Sequence, residues 1–361
     1  MMPTIRVLVV EDSLTVRRRL CEVLATDPAL EVVGEAADGK QAIERCHALR
    51  PHVVTMDMML PIMSGLGATE HIMAHCPTPI LVVSSSTNRG ELFKTYEALA
   101  AGAIDVLEKP RGTEPDGAWE RHFIASVKLV SRIRVVTHLR ARLGALGQPR
   151  IASRATALPM PSLPLHNYEI VVIGASTGGP AAILEVLRAL PSPFPLPVLF
   201  VLHIGEPFGA AFAEWLDGQS GIRVSYAQDG DLVSAKAGRV TMARPDSHLV
   251  VKNGRLRLTQ DAVRHSCRPS VDVLFESAAR EYGPSAIACL LTGMGRDGAA
   301  GLLEVRRAGG FTIAQDEETS VVYGMPREAV ILGGAEQVLP LLQIGPALSA
   351  LATQRNELLP R

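Results

Sequence analysis

Cysteine is sparse in this 361-residue chain, and the five present (Cys21, Cys46, Cys76, Cys267 and Cys289) form no Cys-x-x-Cys pair and no zinc-ligand spacing with histidine. A disulfide framework is not expected, and the thiols should be reduced. An excess of charge of one sign is missing too: the formal net charge is -1. Nothing global points to nucleic acid or to an anionic membrane surface. Long apolar runs are lacking. The first one, at 5–10, gives way to Glu11 and Asp12, too short and wrongly flanked for a signal peptide or a bilayer span. There is no helix-turn-helix pattern, no G-x-G-x-x-G and no Gly-Lys-Ser/Thr phosphate loop, so DNA reading and nucleotide binding are distant alternatives. These absences leave a cytoplasmic protein without direct membrane insertion.

What is present suffices for two cores, since 47% of the residues are hydrophobic. From the N-terminus, short apolar runs at 6–10, 32–33, 53–56, 80–83 and 104–107 alternate with helical patterns. Five strands with crossover helices predict a doubly wound parallel α/β sheet, whose crevice lies beyond the carboxyl ends of the strands. Polar residues stand at those ends: Glu11 and Asp12 after the first run, Asp57 after the third, Ser84 after the fourth, Lys109 after the fifth. Converging carboxylates repel unless a divalent cation sits among them, and oxygen ligands of this kind suit Mg²⁺. A lysine and a hydroxyl beside them can bind a phosphoryl group.

A helical pattern over 119–143 carries six basic residues and reads as a solvated face rather than a nucleic-acid arm. The stretch 144–167 is rich in Ala, Pro, Ser and Leu, which favours extended backbone. The expected organisation is therefore a doubly wound α/β domain over 4–124, a helical tail and linker over 125–165, and a second α/β, Rossmann-like, mainly parallel domain over 166–358.

The second domain opens with an apolar run at 170–173 that breaks into Gly174-Ala175-Ser176-Thr177-Gly178-Gly179-Pro180. Glycines there permit an abrupt strand-to-helix turn, and proline is tolerated in a first helical turn. The string fits a G-x-S-x-G nucleophile elbow, although a hydroxyl that merely caps a helix would look the same. Further apolar runs end at His203 and, through Thr292-Gly293-Met294-Gly295-Arg296, at Asp297. Parallel, adjacent strands would bring Ser176, His203 and Asp297 to one edge. There the imidazole could take the serine proton and the carboxylate could orient the imidazole. His248 and His265 follow no such strand and read as core or exposed histidines.

Glu11-Asp12, Asp57, Ser84 and Lys109-Pro110, in this order, resemble a response-regulator receiver domain. The strings GASTGG (174–179), RPSVDVLFESA (268–278), LTGMGRDG (291–298) and AQDEETSVVYGMPREAV (314–330) resemble the catalytic domain of CheB-type protein-glutamate methylesterases. The resemblance implies that Asp57 accepts a phosphoryl group from a histidine kinase. Glu11, Asp12 and Asp57 would hold Mg²⁺, and Ser84 and Lys109 would contact the phosphoryl oxygens. It further implies a Ser176 nucleophile, a His203 base and an orienting Asp297. Thr177 and Met294 would line the site, with backbone near Met294 helping to form an oxyanion hole. The substrate would be a glutamate methyl ester, or a glutamine, on a methyl-accepting chemoreceptor, and the acyl transfer needs no cofactor. The receiver would inhibit the esterase until phosphorylated. Two departures stand out: Val106 replaces the usual aromatic switch residue, and Leu202, Ile204 and Gly205 flank the histidine where Gln and Met-Pro are common. The alternative is a phosphorylation-controlled docking module without turnover.

Overall fold

The computed structural model describes residues 4–85, 89–110, 117–133, 135, 167–205 and 208–353. The chain divides into two compact units, 1–153 and 154–361. The expected linker, and the expected helix beyond residue 135, lie outside the described residues.

In the first unit, strands β1 (Ile5–Val10), β2 (Leu30–Ala36), β3 (Val53–Met56), β4 (Ile80–Ser84) and β5 (Asp105–Glu108) form one sheet in the order β2-β1-β3-β4-β5. Every pairing in it is parallel. Helices α1 (Leu14–Ala25), α2 (Gly39–Leu49), α3 (Gly65–His75), α4 (Arg89–Ala100) and α5 (Ala118–Val130) are the crossovers and the closing helix. Three helices start where a side chain satisfies an orphan N–H: Ser13, Asp38 and Ser64 accept from Val16, Gln41 and Gly67. The second strand is longer than its apolar run because β2 is an edge strand. Glu31 and Glu35 face solvent and interrupt the hydrophobic signal. The sheet order reverses at β1, so the crevice falls between β1 and β3, above Glu11, Asp12 and Asp57.

The second unit is built on β6 (Ile170–Ala175), α6 (Gly179–Arg188), β7 (Val198–Leu202), α7 (Phe208–Gln219), β8 (Arg223–Tyr226) and β9 (Arg239–Met242). These are followed by β10 (His248–Lys252), β11 (Arg255–Thr259), α8 (Val271–Tyr282), β12 (Ala286–Leu290), α9 (Ala299–Arg307), β13 (Phe311–Gln315), α10 (Met325–Ile331), β14 (Gln337–Leu339) and α11 (Leu341–Thr353). Seven strands form a sheet in the order β14-β13-β12-β6-β7-β9-β8, and β10 and β11 form a separate antiparallel pair. All pairings described in the large sheet are parallel. Its central strands β6, β7 and β12 are buried along their whole length, as all-apolar parallel strands must be. Ile170, Val172, Leu199 and Val201 of these strands pack with Leu274 and Phe275 of α8. Among the described residues no helix is long and apolar enough to cross a membrane.

Candidate active site

Strand β6 lies between β12 and β7, in register from Val171 to Ile287 on one side and from Val171 to Val198 on the other. Ser176, His203 and Asp297 therefore leave the same carboxyl edge of three neighbouring parallel strands. Backbone bonds lock the edge together: the Ser176 N–H donates to the Thr292 carbonyl at 3.0 Å and the His203 N–H to the Ala175 carbonyl at 3.1 Å. The turn into α6 requires a left-handed residue, and Gly178 supplies it at φ 77°. Gly293 is needed for a different reason. A Cβ there would lie 2.8 Å from Ser176 Cβ and 2.3 Å from Met325 Sδ, so only glycine lets the 292–298 turn approach the serine.

His203 Nε2 is 2.9 Å from Asp297 Oδ2. The carboxylate is buried and takes three further hydrogen bonds, all from the start of α8. The Ser270 hydroxyl donates to Oδ1 at 2.7 Å, the Val271 N–H to Oδ2 at 2.7 Å and the Asp272 N–H to Oδ1 at 3.1 Å. A carboxylate on a helix N-terminus is stabilised by unpaired N–H groups and by the helix dipole. Burial alone would lift the Asp297 pKa, but the bond to His203 and these donors hold it below the ordinary carboxylate value. Burial likewise disfavours a charged His203, yet the Asp297 hydrogen bond and then Cys267 raise its pKa to about 9. With Nε2 committed to Asp297, Nδ1 is the ring nitrogen left for proton exchange.

A crevice of about 600 Å³ opens beside this pair, lined by His203, His265, Cys267, Met294, Arg296 and Asp297 among others. Met294 is largely exposed and Thr177 is buried, with its carbonyl accepting the Thr292 hydroxyl at 3.0 Å. Ser176 is half-buried and is not among the residues lining the crevice; it touches the turn behind Met294.

In the first unit, Lys109 Nζ lies 2.8 Å from Glu11 Oε2 and 3.1 Å from Asp57 Oδ1. Carboxylate oxygens of Glu11, Asp12 and Asp57 lie within 4.8 Å of one another. Burial and then the Asp57 charge push Glu11 up to about 7, and burial raises Asp57 against the pull of Lys109. Crowding of this kind is what a divalent cation relieves, so the donor set fits Mg²⁺. Ser84 is buried at the end of β4, but its hydroxyl donates to the Ser85 carbonyl rather than into the crevice. Val106 is half-buried on β5 opposite Val82.

Two features lay beyond sequence reasoning. Ser270 and the α8 N-terminus hold Asp297, and a serine before an apolar helix signals a cap but not the carboxylate it would meet. His265 lines the crevice through a bond of Nε2 to Asp272 Oδ2 at 3.0 Å, set on a loop rather than a strand. His248 proves to be a core histidine that accepts the Ser270 N–H at 3.1 Å.

The family model described as CheB methylesterase matches residues 171–348, and that of the response regulator receiver domain matches residues 7–115. A Nitrosospira multiformis protein named protein-glutamate methylesterase/protein-glutamine glutaminase is 44% identical, over 98% of this chain and 98% of its own. An Anaeromyxobacter dehalogenans relative of that name is 44% identical over 96% of this chain and 97% of its own. A Pseudomonas aeruginosa relative is 43% identical over 98% of each. With both domains matched in the same order and the likeness running end to end, the chain belongs to the CheB methylesterase family of receiver-domain proteins.

Proposed function

We propose that the chain is a phosphorylation-activated hydrolase that demethylates glutamate γ-methyl esters on chemoreceptors and deamidates selected receptor glutamines. The observation that carries the esterase reading is the His203 to Asp297 hydrogen bond, made on strands to either side of the one that ends at Ser176. His203 Nδ1 takes the Ser176 hydroxyl proton as Oγ attacks the ester carbonyl. The imidazolium that forms is stabilised by Asp297 and then returns the proton to the leaving methoxide, releasing methanol. Water, deprotonated by the same nitrogen, hydrolyses the glutamyl ester of Ser176. The backbone at Thr177 and Met294 receives the developing oxyanion. Ammonia leaves in place of methanol when the substrate is glutamine.

Residues 4–124 act as the receiver, 125–165 as tail and linker, and 166–358 as the catalytic domain. A histidine kinase donates the phosphoryl group to Asp57. Glu11, Asp12 and Asp57 would hold Mg²⁺, whose charge would offset that of the carboxylates and the phosphoryl oxygens. Lys109 and Ser84 contact the phosphoryl group, which requires Lys109 to loosen from Glu11 and the Ser84 hydroxyl to turn. Phosphorylation then shifts the population toward an uninhibited esterase.

Methanol release from methylated receptor-containing membranes tests the reading with wild type, Ser176→Ala and Asp57→Ala, with and without Mg²⁺ and a small phosphoryl donor. Release should vanish in Ser176→Ala and should rise with the donor only when Asp57 is present. Substantial turnover by a folded Ser176→Ala variant would remove the serine from its role. No release by a phosphorylated wild type would favour a docking module.

A further inference from the structure

Cys267 transfers no proton or acyl group in the esterase reaction, and its Sγ lies 3.7 Å from His203 Nδ1, inside the crevice. Sγ also lies 3.4 Å from the His265 carbonyl. A tetrahedral zinc ion, with Zn–N about 2.1 Å and Zn–S about 2.3 Å, sets its nitrogen and sulfur ligands about 3.6 Å apart. The two atoms are already at the separation that a shared ion demands. The other side of the imidazole is prepared as well. Ligating histidines characteristically give their second ring N–H to a carboxylate, which fixes the tautomer and raises ligand basicity. His203 does this with Asp297 at 2.9 Å, and Asp297 is itself held by Ser270 and the N–H groups of Val271 and Asp272. His203, Cys267 and Asp297 offer ligand atoms within 4.8 Å of one another. The arrangement that leaves Nδ1 as the exchangeable nitrogen therefore also presents it, beside the Cys267 sulfur, to a soft cation.

We propose that the crevice contains an inhibitory binding site for a thiophilic divalent cation, Zn²⁺ above all, with Cys267 Sγ and His203 Nδ1 as direct ligands. Asp297 is the outer partner of the histidine. Water fills the two remaining tetrahedral positions, since the crevice is open to solvent. Binding replaces the Cys267 S–H bond with an S–Zn bond and, below about pH 9, the His203 Nδ1–H bond with an N–Zn bond, so the thiol proton and the Nδ1 proton both pass to solvent. The bound ion occupies the nitrogen that must accept the Ser176 proton, so turnover stops until the ion is chelated. Mg²⁺ does not compete, because thiolate and imidazole are poor ligands for a hard cation.

The inhibition rests on the esterase reading; the binding does not, so the two are measured separately. Cobalt(II) titrated into the full chain reports binding directly, through a thiolate-to-metal charge-transfer band that needs no turnover. The band should appear in wild type, vanish in Cys267→Ser and Cys267→Ala, and require roughly 10–100-fold more cobalt in Asp297→Asn. Zinc should inhibit wild-type methanol release reversibly. Each cysteine variant, compared with its own metal-free rate, should need at least about tenfold more zinc. A band that survives in both cysteine variants, its absence from wild type, or equal zinc sensitivity in all three proteins would overturn the proposal. A normal band in a chain that shows no esterase under any condition would instead count against the function proposed above.

Discussion

Replacing Asp297 with asparagine probes the site most directly, because it changes one atom of a carboxylate that takes four hydrogen bonds. The amide has two orientations and neither satisfies its surroundings. With NH₂ in place of Oδ2, it meets the Val271 N–H donor to donor. It also obliges His203 to accept at Nε2, and the imidazole proton then moves to Nδ1, the nitrogen that must be bare. With NH₂ in place of Oδ1, it meets the Asp272 N–H instead, while the Ser270 hydroxyl can rotate to accept and the bond to Nε2 survives. An unmet buried N–H costs about 1–3 kcal/mol, and a 150–250-residue domain loses about 2–4 °C in Tm per kcal/mol. Even the better orientation removes the charge that stabilises the imidazolium. A charge-assisted hydrogen bond is worth about 1.5–3 kcal/mol, or about 10- to 150-fold in rate at about 1.4 kcal/mol per decade. The tautomer error can extend the loss to about 10⁴-fold. Against the downward pull of burial, the Asp297 hydrogen bond leads the influences that lift His203 to about 9. The acid limb of kcat/KM should therefore move to lower pH in the variant as its rate falls. Methanol release across pH, with chelator present, measures both. A folded Asp297→Asn protein with wild-type kcat and an unmoved acid limb would refute the geometry of proton transfer argued above.

Other substitutions at the edge give graded outcomes. Ser270→Ala removes one donor from Oδ1 and the cap of α8; kcat should fall about tenfold and stability by about 1 kcal/mol, read by kinetics and denaturant unfolding. Gly293→Ala should displace Ser176 and cost about 100-fold in kcat, because the new methyl group meets Met325 and Ser176. In wild type, kcat/KM should climb toward pH 9, since His203 must lose its proton to act as base. The His203 to Asp297 pair stabilises the fold fully below pH 6.5, where His203 would be protonated even when unfolded, and that contribution is lost as pH rises through about 9. Activity and thermal stability should thus run in opposite directions from neutral to alkaline pH. A Tm that rises with kcat/KM over that range would contradict the assignment.

The first sheet, the three central strands of the second and the shared edge at which Ser176, His203 and Asp297 stand were legible in the sequence because fully buried parallel strands are written as unbroken apolar runs. The first polar residue after each run, His203 or Asp57, marks the crevice edge. Strands β8, β9, β10, β11, β13 and β14 were not read from the sequence. All are short; β8 and β11 are half-solvated, with Arg223, Arg255 and Arg257 exposed, and polar residues such as Thr312 and Gln315 interrupt even the buried β13, so no unbroken apolar run announces them. The left-handed Gly178 and the Pro180 in the first turn let α6 begin at Gly179. Which nitrogen of His203 meets Asp297, and which way Ser84 turns, depend on side-chain packing between segments far apart in sequence. No local pattern encodes either.

The placement of β6 between β7 and β12 also constrains how the molecule is made. The pairing of Ile170 with Ala286 closes a loop that spans more than half of the second unit, and parallel neighbours cannot be reached by a simple hairpin. Non-local closure of this kind is slow, because the entropy of ordering the intervening chain is lost before the contact rewards it. Asp297 follows β12, so it reaches His203 only after that closure. Helices and the β10–β11 hairpin can form while the site is still in pieces. Catalytic competence should be among the last properties regained on refolding, trailing the recovery of helical signal, and a nascent chain still short of residue 297 would be inert toward esters.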